Sequence, residues 1–262
     1  MRGATRHGEY ARPTLTLMPE DAAEWQHFRS ERFRERVVRS IMVIQEALRT
    51  AKKPYIAFSG GKDSLVTMHL VLSLREDATL AWSDDELEYP ESVAYMAALR
   101  GMAAPEQFFI THGRATHARW FRPWRDPPYW REPLAGTIRI DMAQDDWMAR
   151  QGHDLTFTGT RLGESKARAR HFAARGLLYR LKSGTGRHCS PIAEWTEDDV
   201  WAYIAGHRLP YNPVYDILRE ECGLSRERQR VGPMVLTPRA DLAQGWPDVL
   251  DDLEERYGKR WH

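Results

Sequence analysis

Tyr55-Ile56-Ala57-Phe58, Ser59-Gly60-Gly61-Lys62-Asp63-Ser64 and Leu65-Val66-Thr67-Met68-His69-Leu70-Val71-Leu72 follow one another without interruption. An apolar run, a glycine-rich turn and a second apolar stretch in that order predict a strand over 55–58 and a helix over 64–74. A turn of this kind aims backbone N–H groups and the positive end of a helix at one point, which makes an anion site. Gly60 and Gly61 let the backbone approach an anion closely and take positive φ without penalty. Ser59 and Ser64 add hydroxyl donors, and Lys62 adds charge. The spacing is not that of a Walker A loop, because Lys62 directly follows two adjacent glycines.

The rhythm continues on both sides of the loop. Residues 1–20 are polar and read as a tail. Apolar positions at Phe28, Phe33, Val37, Val38, Ile41, Ile44 and Leu48 predict one long helix over 24–50, ended by Lys52-Lys53-Pro54. Downstream, strands are expected at 79–83 and 107–111, with a helix from Pro90 to about Arg100 between them. A helix over 141–151, strands at 155–158 and 189–192, and a helix from Thr196 follow; Thr196 is a good N-cap, with Glu197, Asp198 and Asp199 in the first turn. This alternation predicts an α/β fold, a doubly wound, mostly parallel sheet with flanking helices and a helical C-terminal extension. The expected organisation is a tail and long helix over 1–52, a nucleotide-binding α/β domain over 53–216, and helices over 217–262 packed on it. Residues 113–138 break the pattern with Trp120, Trp124 and Trp130 among prolines. They read as a lid over the site or as a packed aromatic loop.

Composition narrows the function classes. The chain has 262 residues, 42% of them hydrophobic, enough for a sizeable core. Lys and Arg number 38 against 37 Asp and Glu, so the overall balance makes no case for nonspecific DNA binding. Two cysteines, Cys189 and Cys222, are too few for a disulfide framework or a four-cysteine zinc or iron–sulfur site. No apolar run approaches the roughly 20 residues of a membrane span, and the first residues lack a signal-peptide core. A cytoplasmic protein without membrane contact is expected.

In open α/β sheets ligands bind beyond the carboxyl ends of the strands, and four sequence blocks fall there. Ser59–Ser64 resembles the SGGxDS signature of the PP-loop, or N-type, ATP pyrophosphatases. Asp84 to Glu91 resembles the D-T-x-x-x-x-P-E stretch of their PAPS reductase family, with Asp84, Pro90 and Glu91 in register and Asp85 in place of the threonine. Gly159 to Arg168 is similar to the family's G-x-R-x-x-E-S-x-x-R, through Gly159, Arg161, Glu164, Ser165 and Arg168. Pro191 to Ile204 and Pro210 to Tyr215 resemble P-I-x-x-W-x-x-x-D-V-W-x-Y-I and P-x-N-P-x-Y; their apolar spacing reads mostly as packing.

The resemblance implies an enzyme that cleaves ATP between its α- and β-phosphates and passes the adenylyl group to an unread acceptor, in sulfur metabolism or sulfur transfer. Ser59, Gly60, Gly61, Asp63, Ser64, Asp84, Gly159, Glu164 and Ser165 would hold the nucleotide. Lys62, Arg161 and Arg168 would offset charge as the bond breaks. Asp63 and Asp84 would stand near a Mg²⁺. A sulfur-donor partner protein and a homodimer are compatible with it. Two other readings stay open: thiol-dependent reduction of PAPS or APS by Cys222, and a nucleotide-binding module without turnover. Glu221-Cys222-Gly223-Leu224 is followed by Ser225 where the reductases have histidine, and Cys222 reads more readily as a small buried apolar residue. Arg226 to Pro233 resembles the R-x-G segment of sulfur-transfer ATP pyrophosphatases of the DNA phosphorothioation type, without the cysteine that follows the glycine there. It reads as a polyanion contact or, more simply, a solvated helix.

Overall fold

A computed structural model describes residues 15–18, 23–84, 88–102, 107–113, 134–140, 142–181, 186–232, 234 and 237–257. Among these, seven strands form one sheet: β1 (Pro54–Ala57), β2 (Thr79–Ser83), β3 (Phe108–Gly113), β4 (Ile138–Ile140), β5 (Leu155–Phe157), β6 (Leu178–Arg180) and β7 (Arg187–Cys189), in the order β4-β3-β2-β1-β5-β7-β6. Every neighbouring pair is parallel except β6–β7. The central strands are covered on both faces, which is why they are short apolar runs without alternation. Tyr55, Ile56, Leu80, Ala81, Leu155 and Phe157 are all buried. The chain adds β2, β3 and β4 on one side of β1, then crosses to place β5 on the other. The strand order therefore reverses between β1 and β5, the position at which such sheets bind ligands. The loops after these two strands are Ser59–Ser64 and Gly159–Ser165.

The expected long N-terminal helix is two helices, α1 (Glu24–Phe28) and α2 (Glu31–Leu48). Ser30 breaks it: its backbone is extended, with ψ at 147°, and its Oγ accepts the Phe33 N–H at 3.3 Å as an N-cap. The break lets α1 lie against α7 (Glu197–Gly206). A Cβ on Gly206 would stand 2.2 Å from the Phe28 ring, so that approach needs glycine. Asp199 gathers the three helices. It accepts the Thr196 N–H at 2.6 Å, meets His27 Nε2 at 2.8 Å and pairs with Arg36.

α4 (Pro90–Met102) begins at Pro90 as predicted, whereas α3 (Lys62–Leu72) begins two residues before the expected start at Ser64, directly after its N-cap Gly61. α5 (Gln144–Arg150) and α6 (Lys166–Arg175) follow. The strand expected at 189–192 ends at Cys189, because the chain turns at Pro191, which has no N–H for a ladder. The tail expected over 1–20 lies mostly outside the described residues. Where it is described, Thr16 and Tyr211 exchange backbone hydrogen bonds of 3.3 and 2.9 Å.

The C-terminal helices are α8 (Val214–Glu220), α9 (Arg239–Gly245) and α10 (Pro247–Tyr257). They bury Val214, Leu218, Leu242, Trp246 and Leu253 in a second apolar cluster that includes Tyr89. Trp246 lies 4.3 Å from the Tyr89 ring, and its indole N–H donates to Glu91 Oε2 at 2.8 Å. These contacts fasten the extension to the start of α4, beside the C-terminal end of β2.

Candidate functional site

The turn after β1 is held from inside and from behind. Gly60 has φ +77°, a region costly for other residues, and Gly61 caps α3 in an extended conformation. Ser64 Oγ accepts the Ser59 N–H at 3.2 Å and donates to Gly61 O at 2.8 Å. Ser59 Oγ accepts the Gly61 N–H at 3.4 Å. Behind the turn, Asn212 Nδ2 donates to Gly60 O at 3.4 Å and to Ser92 Oγ at 2.9 Å. Tyr215 Oη accepts the Lys62 N–H at 3.0 Å. The Asn212–Tyr215 block, read from sequence as packing, is thus the scaffold of the loop. Gly159 closes the other side. A Cβ there would lie 2.5 Å from the Asp63 carbonyl carbon and 2.7 Å from Ser64 N, so β5 reaches the first turn of α3 only through glycine.

Four charged side chains close a ring at this junction. Lys62 Nζ is 2.8 Å from Asp63 Oδ2 and 3.2 Å from Glu197 Oε1. Arg161 places Nε 2.5 Å from Asp63 Oδ1 and Nη2 2.5 Å from Glu197 Oε2. Lys62 is 3% exposed and Arg161 6%, so neither cation is solvated in the ordinary way. Burial alone would lower the Lys62 pKa, but the Tyr215 hydroxyl, Asp63 and Glu197 outweigh it and raise it, keeping the ammonium charged at neutral pH. Burial raises the Tyr215 phenol, which stays neutral. Sequence reasoning missed Glu197. It looked like any acid in a helix's first turn, and its two partners are distant in the chain.

Arg168 sits farther out. Its side chain is 45% exposed and ion-paired with Glu164, whose Oε1 also accepts the Arg161 N–H at 2.8 Å. Ser165 Oγ caps α6 by accepting the Arg168 N–H at 3.1 Å. Partial burial, then the neighbouring charge of Arg230 and of Arg161, lowers the Arg168 pKa, although a guanidinium remains protonated throughout. Three guanidinium groups therefore converge near the loop.

Two adjoining cavities follow from this placement. A small one of about 90 Å³ is lined by Ser59, Gly61, Lys62, Asp63, Ser64 and Arg161, with Glu164 and Tyr215. A larger cleft of about 500 Å³ lies over the ends of β1 and β2, at Ala57 to Ser59 and Ala81 to Ser83. Ser59, Arg230 and Val231 border both. The segment read as a solvated helix is a short 3-10 turn at Arg226–Arg228, and the chain beyond it forms a shared wall of the two cavities.

The acidic candidates are placed differently. Asp63 directs both carboxylate oxygens at Arg161 and Lys62. Asp84 is buried behind the cleft, its carbonyl oxygen 2.7 Å from His112 Nδ1, and Glu88 rather than Asp84 borders the cleft. Among the described residues no three His, Cys, Asp or Glu side chains gather as a metal site. Asp63 and Asp84, expected near a Mg²⁺ held mainly by phosphates, thus stand in different surroundings, one ion-paired in the pocket and the other buried. Cys222 borders neither cavity; its thiol donates to Asp241 O at 3.3 Å and packs against Gly245. Cys189 is buried on β7, its thiol pushed up to about 12 by burial. Most of the tryptophan-rich stretch, 114–133, lies outside the described residues. Among them, no helix is long and apolar enough to cross a membrane.

A family model described as the phosphoadenosine phosphosulfate reductase domain matches residues 53–221. The chain belongs to that family. It is 31% identical over 228 residues to sulfate adenylyltransferase subunit 2 of Streptomyces lavendulae, covering 76% of this chain and 66% of that one. It is 28% identical over 176 residues to phosphoadenosine 5'-phosphosulfate reductase of Xanthomonas campestris pv. campestris, covering 62% and 65%. The chain thus spans just under two thirds of the length of these relatives. The phosphate complex of PAPS reductase from Candida auris superposes with a TM-score of 0.51 at 17% identity, over 78% of this chain and 95% of that one, a likeness of fold.

Proposed function

We propose that this member of the phosphoadenosine phosphosulfate reductase family binds ATP across the switch point and breaks its α–β phosphate bond. The supporting observation is the continuity of a phosphate-sized pocket on the loop with a nucleoside-sized cleft at the strand ends, through Ser59, Arg230 and Val231. The nucleoside occupies the cleft over β1 and β2. The β- and γ-phosphates enter the pocket, where backbone N–H groups at the start of α3 and the Ser59 and Ser64 hydroxyls donate to them.

An oxygen of the acceptor attacks the α-phosphorus and forms the new bond. The bond from that phosphorus to the bridging oxygen breaks, and its electron pair leaves on pyrophosphate. Lys62 and Arg161, released in part from Asp63 and Glu197, face that developing charge, and Arg168 meets it from the mouth. Fixed cations in a water-poor pocket stabilise such charge far better than the same groups in water. The relatives named sulfate adenylyltransferase subunit 2 favour sulfate or a similar small oxyanion as acceptor, and their subunit numbering favours a partner subunit. The placement of Cys222 among the C-terminal helices disfavours a thiol reductase. The test is pyrophosphate release from ATP across a panel of oxyanions, with α-labelled ATP to follow the adenylyl group. Release that disappears in Lys62→Ala and Arg161→Ala is expected. ATP binding without release under any acceptor would leave a binding module, and PAPS reduction abolished by Cys222→Ser would overturn the proposal.

A further inference from the structure

The inner face of α2 is explained by packing: Phe33, Ser40, Ile44 and Ala47 are buried. The outer face is not. Among the described residues four large apolar side chains are exposed, and two of them, Val38 at 54% and Met42 at 63%, stand one turn apart on this helix. Apolar residues exposed singly need no explanation, but this pair belongs to a pattern. Glu31, Glu35, Val38, Met42, Gln45 and Arg49 recur in alternating steps of four and three, and all are exposed. At 3.6 residues per turn they fall on the side of α2 opposite the four buried residues. That spacing is the seam of a helix pair, here apolar at its centre and charged at its ends. A shallow groove of about 840 Å³ runs along its first half, from Arg29 to Met42.

The charges say what covers that seam. Acids and arginines are interspersed along it, so a polyanion or an acidic segment would be repelled by Glu31, Glu35 and Glu46. Reversed end to end, however, the face matches itself. Setting Val38 opposite Met42 of an antiparallel second copy puts Glu31 opposite Arg49 and Glu35 opposite Gln45, and brings Arg32 beside Glu46. The groove of each helix then receives Met42, Gln45 and Arg49 of the other. Glu31 and Arg32 are ion-paired with no other described residue, whereas Glu46 and Arg49 pair with each other at 2.8 Å. A second copy therefore joins these four charges into one alternating cluster at each end of the seam. Arg39 meets its own counterpart near the centre, where Glu194 at 2.8 Å and the nearby Glu35 already offset its charge.

We propose that the outer face of α2 is a self-complementary interface through which two copies of this chain pair, antiparallel, about a two-fold axis level with Ser40. Such an interface is isologous, so every contact occurs twice. The face shares no residue with either cavity, which leaves the nucleotide site of each copy open. The pairing does not depend on ATP cleavage, and its test contains no ATP. The 18-residue helix is about 27 Å long, so the contact is at the small end of specific interfaces and a micromolar dissociation constant is expected.

The experiment is sedimentation velocity of the full chain from about 1 to 200 µM in about 0.1 M salt. A monomer–dimer equilibrium within that range is expected. Met42→Glu puts a carboxylate into the apolar centre twice per dimer and should raise the dissociation constant at least about tenfold. Glu31→Arg and Arg49→Glu each replace two opposite-charge contacts by like-charge ones and should raise it about fivefold or more. The double variant E31R/R49E exchanges the two ends of the seam and should return to within about threefold of the parent protein. That rescue requires the antiparallel register, and damage to the fold would not produce it. Thermal melts within a few degrees of the parent protein exclude unfolding of the single variants. A parent protein that stays monomeric throughout, a dimer unaffected by Met42→Glu, or a double variant no tighter than either charge reversal alone would each overturn the proposal.

Discussion

Glu197→Gln tests whether the two site cations are held by a carboxylate that substrate replaces. Glu197 contacts Lys62 at 3.2 Å and Arg161 at 2.5 Å, and its side chain is 16% exposed. At such separations each contact is worth about 5 kcal/mol of attraction at an effective dielectric near 20, most of it offset by the cost of burying the ions. Removing one partner keeps that burial cost and forfeits the attraction, typically about 3–5 kcal/mol. Glutamine retains the shape and one acceptor oxygen, so about 3 kcal/mol is expected, a melting point lower by about 6–12 °C. Pyrophosphate should then supply the missing negative charge and bind at least about tenfold more tightly than to the parent protein, which corresponds to about 1.4 kcal/mol. Scanning fluorimetry with and without pyrophosphate, paired with titration calorimetry, measures both effects. A melting point within a degree of the parent refutes the claim that the ring is held by Glu197. A destabilised but folded variant that binds pyrophosphate more weakly shows instead that Glu197 orients Arg161 for the anion.

Gly159→Ala should separate β5 from the loop, because its new methyl would meet the Asp63 backbone at 2.5 Å. A stability loss of about 1–3 kcal/mol with a larger loss of nucleotide affinity is expected in denaturant titration and ATP binding. Cys222→Ser should release pyrophosphate at a rate within about twofold of the parent in a coupled assay, since the thiol borders neither cavity. Lys62 contributes a defined alkaline limb. Its pKa is raised on folding, so its stabilisation is complete below the unfolded value of about 10.4 and is lost as pH rises through the folded value. Urea unfolding should therefore show this term unchanged from about pH 7 to 10 and falling above, and Lys62→Met should abolish that fall. Tyr215→Phe leaves the buried Lys62 N–H without its 3.0 Å acceptor, a cost of about 1–3 kcal/mol read by the same unfolding titration.

The sheet was legible because its central strands obey local rules. Tyr55–Phe58, Thr79–Ser83 and Leu155–Thr158 are apolar runs bounded by turn residues, and burial on both faces leaves no other reading. β4 and β6 were not anticipated, since three residues such as Ile138-Arg139-Ile140 or Leu178-Tyr179-Arg180 carry too little pattern and take their strand state from a neighbour. The single N-terminal helix was wrong for a related reason. The apolar spacing runs through Arg29 and Ser30 and masks the N-cap at Ser30, whose break places α1 on α7, a contact some 170 positions away in the chain. The anion loop was legible from its glycines and serines. The counter-charges were not, because nothing local distinguishes Glu197 from its neighbours Asp198 and Asp199, of which one caps α7 and the other carries no role at the site.

The block from Thr196 to Tyr215 changes meaning once it is placed. Its apolar residues pack, as their spacing implies, but three of its polar residues turn toward one loop. Glu197 leaves the first turn of α7 for Lys62 and Arg161, Asn212 reaches Gly60, and Tyr215 reaches the Lys62 amide. A helix, a turn and a second short helix therefore hold the backbone and charge of a phosphate pocket that lies more than 130 positions earlier. A substitution that loosens α7 from the core should lower anion affinity before it unfolds the sheet, because the pocket loses its counter-charge and its backbone support together. Phe28→Ala is such a change: it removes the ring that lies over Gly206 without touching any residue of either cavity. Weaker pyrophosphate binding in a variant whose melting transition stays single and cooperative would show that the helical unit and the loop are one element. Unchanged binding would show that the loop holds its shape alone.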